Sequence, residues 1–228
     1  MARTARRWSS AARAVVAVIL VLGAPACGGG GGGDDGGDEA TPWQMLPVAP
    51  VRGRFVAAVA WSGNEMLLWG GGGCSGDRCD QTTSTPREDG AAYDPGANRW
   101  RVMAKAPLSA RLRPASAWTG KEFIVWGGQA AANYMSDGAA YDPVADTWRT
   151  VAAAPIEGRT GFGIWTGTEL IVWGGGGGTD RSFNDGAAYN PATDTWRVIK
   201  ASPLSGRGGS ASVWTGREML VWGGSGGG

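Results

Sequence analysis

The sequence predicts an all-β protein assembled from a repeated four-stranded unit, and three observations predict it. The text recurs at a fixed spacing: Trp100-Arg101, Trp148-Arg149 and Trp196-Arg197 stand 48 residues apart, as do Asp89-Gly90, Asp137-Gly138 and Asp185-Gly186. A period of this length marks a solenoid or a propeller. Of the 13 tryptophans, all but Trp8 fall into three series: Trp43, Trp100, Trp148, Trp196; Trp61, Trp118, Trp165, Trp214; and Trp69, Trp126, Trp173, Trp222. Each unit also divides into four short runs bounded by turn signals.

Composition sets the outer limits. The 228 residues could hold one or two domains. The 41 glycines could belong to a disordered chain, but the tryptophans argue against it, because disordered segments are poor in aromatics. A net charge of +1 gives no global field for a nucleic-acid partner. The absence of histidine excludes a Ser/His/Asp triad, a Cys/His dyad and any His-ligated metal within this chain.

The N-terminus reads as an address. Arg3, Arg6, Arg7 and Arg13 precede the apolar run from Ala14 to Leu22, and Ala24-Pro25-Ala26 follows. This is the order of a secretory signal, with an apolar run too short to span a bilayer. Cys27 comes next, and the arrangement resembles the lipobox of bacterial lipoproteins, in which that cysteine becomes the lipidated N-terminus. Ala24 stands where the family usually has Leu. Plain cleavage after Ala26, giving a secreted protein, is the alternative. From Gly28 to about Ala40 the Gly/Asp-rich text predicts a disordered tether. The expected division is a signal over 1–26, the lipidated cysteine and tether over 27–40, and the repeats over 41–228.

Within each unit the elements follow in order. The first run is built of small residues, as in Ala115-Ser116-Ala117, Gly161-Phe162-Gly163-Ile164 and Ser210-Ala211-Ser212-Val213. Trp-[Ser/Thr]-Gly-x-Glu then suits a tight hairpin. The second run is continuously apolar, as in Phe123-Ile124-Val125-Trp126, which suggests burial on both faces. A Gly-Gly pair ends it. The third carries Gly-Ala-Ala-Tyr and stops at Asp-Pro or Asn-Pro; the fourth begins at the Trp of Thr-Trp-Arg and alternates, as a half-exposed outer strand does. Small residues in the first strand fit a crowded axis, so a radial array of four-stranded sheets, a β-propeller, accounts for the taper. Arg54, Arg111, Arg159 and Arg207 open the units, and ion pairs with recurring Asp such as Asp137 and Asp185 are expected.

These units resemble kelch repeats: a hydrophobic strand ending in Gly-Gly, then a spaced Tyr, then a spaced Trp. The resemblance runs from about Trp43 to the C-terminus and implies a β-propeller with one repeat per blade. Repeats span about 54–100, 111–148 and 159–196, with a partial one over 207–228. The expectation is three full blades, a partial fourth and an incomplete propeller, with Trp43 as the outermost strand of the last blade. A gapped four-bladed ring is the alternative. The first unit is longer, since Trp69 to Trp100 spans 31 residues against 22 and 23 in the next two. The insertion carries Cys74 and Cys79. An exported protein meets an oxidising compartment, and with Cys27 lipidated these two are the remaining pair for a disulfide.

Residues that recur in every unit are scaffold, so function is expected where the units differ. The variable stretches follow each Gly-Gly and should emerge on one face: Cys74–Glu88, Gln129–Ser136 and Gly174–Asn184. Candidate ligand-binding residues are Arg78, Asp80, Asn133, Tyr134, Asp180, Arg181 and Phe183, together with Gln81. Tyr134 and Phe183 stand out as aromatics outside the repeat series. Kelch proteins mostly act as binding modules. The expected function is therefore an extracytoplasmic, membrane-anchored module for a protein or glycan, with no nucleic-acid partner and no cofactor. The resemblance also admits a kelch-fold carbohydrate-active enzyme of mutarotase, epimerase or oxidase type, with catalytic residues outside this chain. Copper chemistry of the galactose oxidase kind needs His, which the chain lacks.

Overall fold

A computed structural model describes residues 45–73, 85–178 and 181–226. Cys27, Trp43, Cys74, Arg78, Cys79, Asp80, Gln81 and Asp180 lie outside the described residues, so lipidation, the disulfide and the Trp43 strand are untested by it. No helix occurs among the described residues. The first unit holds β1 (Arg54–Phe55), β2 (Ala58–Trp61), β3 (Met66–Trp69), β4 (Gly72–Gly73), β5 (Thr85–Pro86), β6 (Gly90–Asp94) and β7 (Arg99–Val102). The second holds β8 (Ala115–Trp118), β9 (Phe123–Trp126), β10 (Gln129–Ala130), β11 (Asn133–Tyr134), β12 (Gly138–Asp142) and β13 (Thr147–Thr150). The third holds β14 (Gly163–Trp165), β15 (Leu170–Trp173), β16 (Gly186–Asn190) and β17 (Thr195–Val198), and β18 (Ala211–Trp214) and β19 (Met219–Trp222) follow.

Three antiparallel four-stranded sheets result, ordered β2-β3-β6-β7, β8-β9-β12-β13 and β14-β15-β16-β17. β18-β19 pair as the inner half of a fourth. This is the β-propeller blade expected from the repeat. The outer strands begin one residue earlier than the sequence suggested, at Arg99, Thr147 and Thr195, because the Tyr-to-Trp register extends to Asp94↔Arg99, Asp142↔Thr147 and Asn190↔Thr195. The inner strand of the third blade starts later than expected, at Gly163.

The inner strands β2, β8, β14 and β18 pack side by side, which explains their small residues. A Cβ on Gly163 would lie 2.8 Å from the Ser116 carbonyl oxygen of the neighbouring inner strand. β9 and β15 are buried along their whole length, as their unbroken apolar text required. Trp69, Trp126 and Trp173 are almost completely buried, and burying a side chain of this size contributes on the order of 3 kcal/mol.

A polar relay joins blades at their outer side. The turn glutamate pairs with the Arg of its own outer strand: Arg101–Glu65 at 2.7 Å and Arg149–Glu122 at 2.7 Å. The same guanidinium reaches into the next blade, donating to the hydroxyl of Tyr141 or Tyr189. That hydroxyl donates to Asp146 or Asp194, whose Oδ1 accepts the amide of Ala104 or Ala152 from the preceding blade. The Trp148 and Trp196 indoles donate to the Ala104 and Ala152 carbonyls at 2.9 Å. Trp100 donates likewise to Pro47, so the segment before the first unit occupies the same interblade place. Burial raises the Tyr141 and Tyr189 hydroxyls to about 12, and their bonds to Asp146 and Asp194 act in the same direction against the neighbouring arginines.

Candidate functional site

The variable stretches begin at the Gly-Gly pairs, and the chain there has no freedom to vary. Both glycines of each pair have positive φ. The second donates its amide to the carbonyl of the Arg that opens the next unit: Gly71 to Arg111, Gly128 to Arg159 and Gly175 to Arg207, at 2.8–2.9 Å. The Arg side chains turn back into their own blades. Arg54 meets Asp89 at 2.8 Å, Arg111 meets Asp137 at 2.7 Å and Arg159 meets Asp185 at 2.6 Å. The ion pairs expected for Arg111 and Arg159 are therefore present. Both arginines are fully buried and also donate to the first glycine's carbonyl. The Arg54 and Arg159 guanidiniums hold Asp89 and Asp185 below the ordinary carboxylate value, with burial opposing the shift.

On this base each variable stretch opens as a small hairpin. β1, β4 and β5 form a three-stranded sheet; β10 pairs with β11; and Gly176 bridges Ser182. Each hairpin is pinned to the residue after the Arg: Phe55 opposes Gly72, Leu112 bridges Gln129, and Thr160 donates its amide to the Gly176 carbonyl. Equivalent pinning puts the bases of the three stretches on one face. The second and third approach each other, since a Cβ on Gly178 would lie 4.0 Å from Tyr134 Cε2.

The candidate side chains divide on inspection. Asn133 is exposed at the β11 edge, Tyr134 is half-buried beside the third hairpin, and Arg181 is exposed. Phe183 corrects the sequence reading. It is 5 % exposed, and it repeats Arg87 and Met135, whose amides likewise return to the carbonyl of a Gly-Gly glycine. Its ring lies between two guanidiniums, with Cζ of Arg159 at 3.8 Å and of Arg181 at 4.6 Å from its centroid. It is a support for Arg181, not a free contact. The repeat text held this signal in the offset from Asp-Gly, which is the same at Arg87, Met135 and Phe183.

Glu157 was not foreseen. It pairs with Arg181 at 2.7 Å, with both side chains more than half exposed. Its signal was also legible: Glu157 stands two residues before Arg159, where the neighbouring units have Ser109 and Ser205. The resulting surface places an ion pair, an amide and a phenol over backbone hairpins. Such groups bind by hydrogen bonding and stacking. Among the described residues no three His, Cys, Asp or Glu side chains converge.

The solved structure of YjhT aligns with this chain at a TM-score of 0.60 and 18% identity, covering 77% of this chain and 59% of that one. At that identity the likeness concerns the fold. The chain thus corresponds to about 59% of the length of that neighbour. No curated protein matches in sequence. Residues 40–224 match the family model described as the KLHDC2/KLHL20/DRC7 Kelch-repeats domain, and the chain belongs to that family.

Proposed function

We propose that this protein is an extracytoplasmic binding module, anchored to the membrane through a lipidated Cys27, that recognises a protein or glycan through the hairpins following each Gly-Gly. The observation that carries the reading is the contrast between base and tip. The base repeats from blade to blade in its backbone bonds, whereas the tips differ and carry Asn133, Tyr134 and the Arg181–Glu157 pair. A repeated scaffold under unlike exposed residues is how a recognition surface varies without disturbing its fold. The second and third hairpins lie near one another, so one ligand can touch both.

Screening the purified full-length protein against glycan and envelope-protein arrays tests the reading. Saturable binding is expected, and it should weaken roughly tenfold or more in Tyr134→Ala and Arg181→Ala. The absence of any saturable ligand, or binding indifferent to both changes, removes the proposal. Detergent partitioning tests the anchor separately: wild type should enter the detergent phase and Cys27→Ser the aqueous phase.

A further inference from the structure

The third unit departs from the others twice, and the two departures meet. Glu157 stands where the other units have Arg52, Ser109 and Ser205, and Arg181 stands where the first two have Thr85 and Asn133. Arg181 Nη1 donates to Glu157 Oε2 at 2.7 Å. With side chains 56% and 63% exposed, such a pair contributes little to stability. It is nonetheless held in place. The guanidinium lies over the buried ring of Phe183, 4.6 Å from its centroid. Gly177 leaves that ring its space, since a Cβ there would lie 2.6 Å from Phe183 Cε2. The Arg181 carbonyl accepts the Gly177 amide at 2.7 Å, and the Arg181 amide donates to the Gly178 carbonyl at 3.3 Å.

The pair shares its surface with Tyr134. A Cβ on Gly178 would lie 4.0 Å from Tyr134 Cε2, and a Cβ on Gly158 would come 2.7 Å from the Tyr134 carbonyl carbon. The contacts therefore close a circuit from Tyr134 through Gly178, Arg181, Glu157 and Gly158 back to Tyr134. Its two glycines carry no side chain, so bare backbone separates the phenol from the ion pair.

The chemistry of this circuit is selective. A guanidinium only donates hydrogen bonds and a carboxylate only accepts them. Side by side they cancel in charge and offer both functions at adjacent points. A hydroxyl uses both, accepting from Arg181 and donating to Glu157, and two neighbouring hydroxyls use them fully. An anion meets repulsion from Glu157 and a cation meets it from Arg181, so a neutral ligand is favoured. The negative face of a tyrosine ring attracts C–H groups. We infer that Arg181 and Glu157 bind a vicinal hydroxyl pair of an uncharged pyranose whose C–H face packs on Tyr134. The inference rests on the hairpins being the binding face and names the class of ligand they take.

Full-length protein is titrated calorimetrically with cellotetraose, mannotetraose and galactotetraose, and in parallel with the anionic tetragalacturonate and the cationic tetramer of glucosamine. Saturable one-to-one binding of at least one neutral tetraose is expected, at least roughly tenfold tighter than either charged one. Arg181→Lys keeps the charge but not the fork and should weaken it roughly tenfold. Tyr134→Phe should bind as wild type does, and Tyr134→Ala roughly tenfold more weakly. Glu157→Gln removes the repulsion and should bind tetragalacturonate roughly fivefold more tightly than wild type does, a gain that misfolding would not produce. The matching methyl glycoside separates two sources of the same chemistry: affinity similar to the tetraose identifies a free sugar, and binding of the tetraose alone identifies a glycan chain, either of which supports the inference. It is overturned if no neutral tetraose binds, if a charged one is preferred, or if Glu157→Gln leaves tetragalacturonate affinity unchanged. A protein ligand lost in both Tyr134→Ala and Arg181→Ala also overturns it while leaving the hairpin reading in place, whereas a ligand indifferent to both changes removes that reading itself.

Discussion

Arg111 and Asp137 meet across a steep change of environment, the guanidinium fully buried and the carboxylate half open to water. Asp137→Ala leaves the cation buried with only the Ser109 oxygens and the backbone carbonyls of Gly127 and residue 137, and should destabilise the protein by about 3 kcal/mol in urea denaturation. A loss near 1 kcal/mol would mean that the pair behaves as a surface contact. The ionisable groups also set two pH limits. Asp89 and Asp185 are held below their ordinary value of 3.8 by arginine hydrogen bonds. Their contribution is present above that value and is lost as the pH falls through the lower folded one. Tyr141 and Tyr189 are raised from 10.0 to about 12, so theirs is complete below 10.0 and lost as the pH rises towards 12. The urea midpoint should therefore stay level between about pH 5 and about pH 9 and fall on both sides. A near-ultraviolet titration should show Tyr141 and Tyr189 ionising last, and Tyr141→Phe should remove one late step.

At the scale of the element, the Gly-Gly pair does two jobs that one substitution can separate. Gly167, in a hairpin turn, has φ +101° with open space where a Cβ would sit. Gly175 has a similar φ of +96°, but a Cβ there would collide with the Thr160 carbonyl oxygen. Gly167→Ala should cost about 1 kcal/mol from backbone strain alone. Gly175→Ala adds a backbone collision and should cost roughly 3 kcal/mol or more. Equal thermal shifts for the two would show that the Gly-Gly corner relaxes freely and does not clip the blades. Sequence made these corners plain, because positive φ and close approach both select glycine. It misplaced Phe183, since an aromatic between variable residues looks like a contact until its backbone bond and its two arginine neighbours are seen.

Across the whole molecule, stability should fall from the middle blades towards the ends. β9 and β15 are buried on both sides, whereas Trp61 is 45% and Trp222 83% exposed. In a repeat array each unit is stabilised by its neighbours. Native-state hydrogen exchange should therefore protect β9 and β12 most and β18–β19 least, by roughly 3 kcal/mol or more in opening free energy. Uniform protection would indicate a single cooperative unit. The sequence by itself determined the four-stranded unit, its small first strand and apolar second strand, and the Arg–Asp pairs. These are local or recur every 48 residues, so period and turn chemistry report them directly. Tertiary structure alone decided which variable side chains reach the surface, that Glu157 meets Arg181, and that each Gly-Gly is clipped to the next unit. The clips join amides and carbonyls of neighbouring blades, and Glu157 and Arg181 meet across 24 residues of one unit, so neither is written in the local pattern of a single strand or turn.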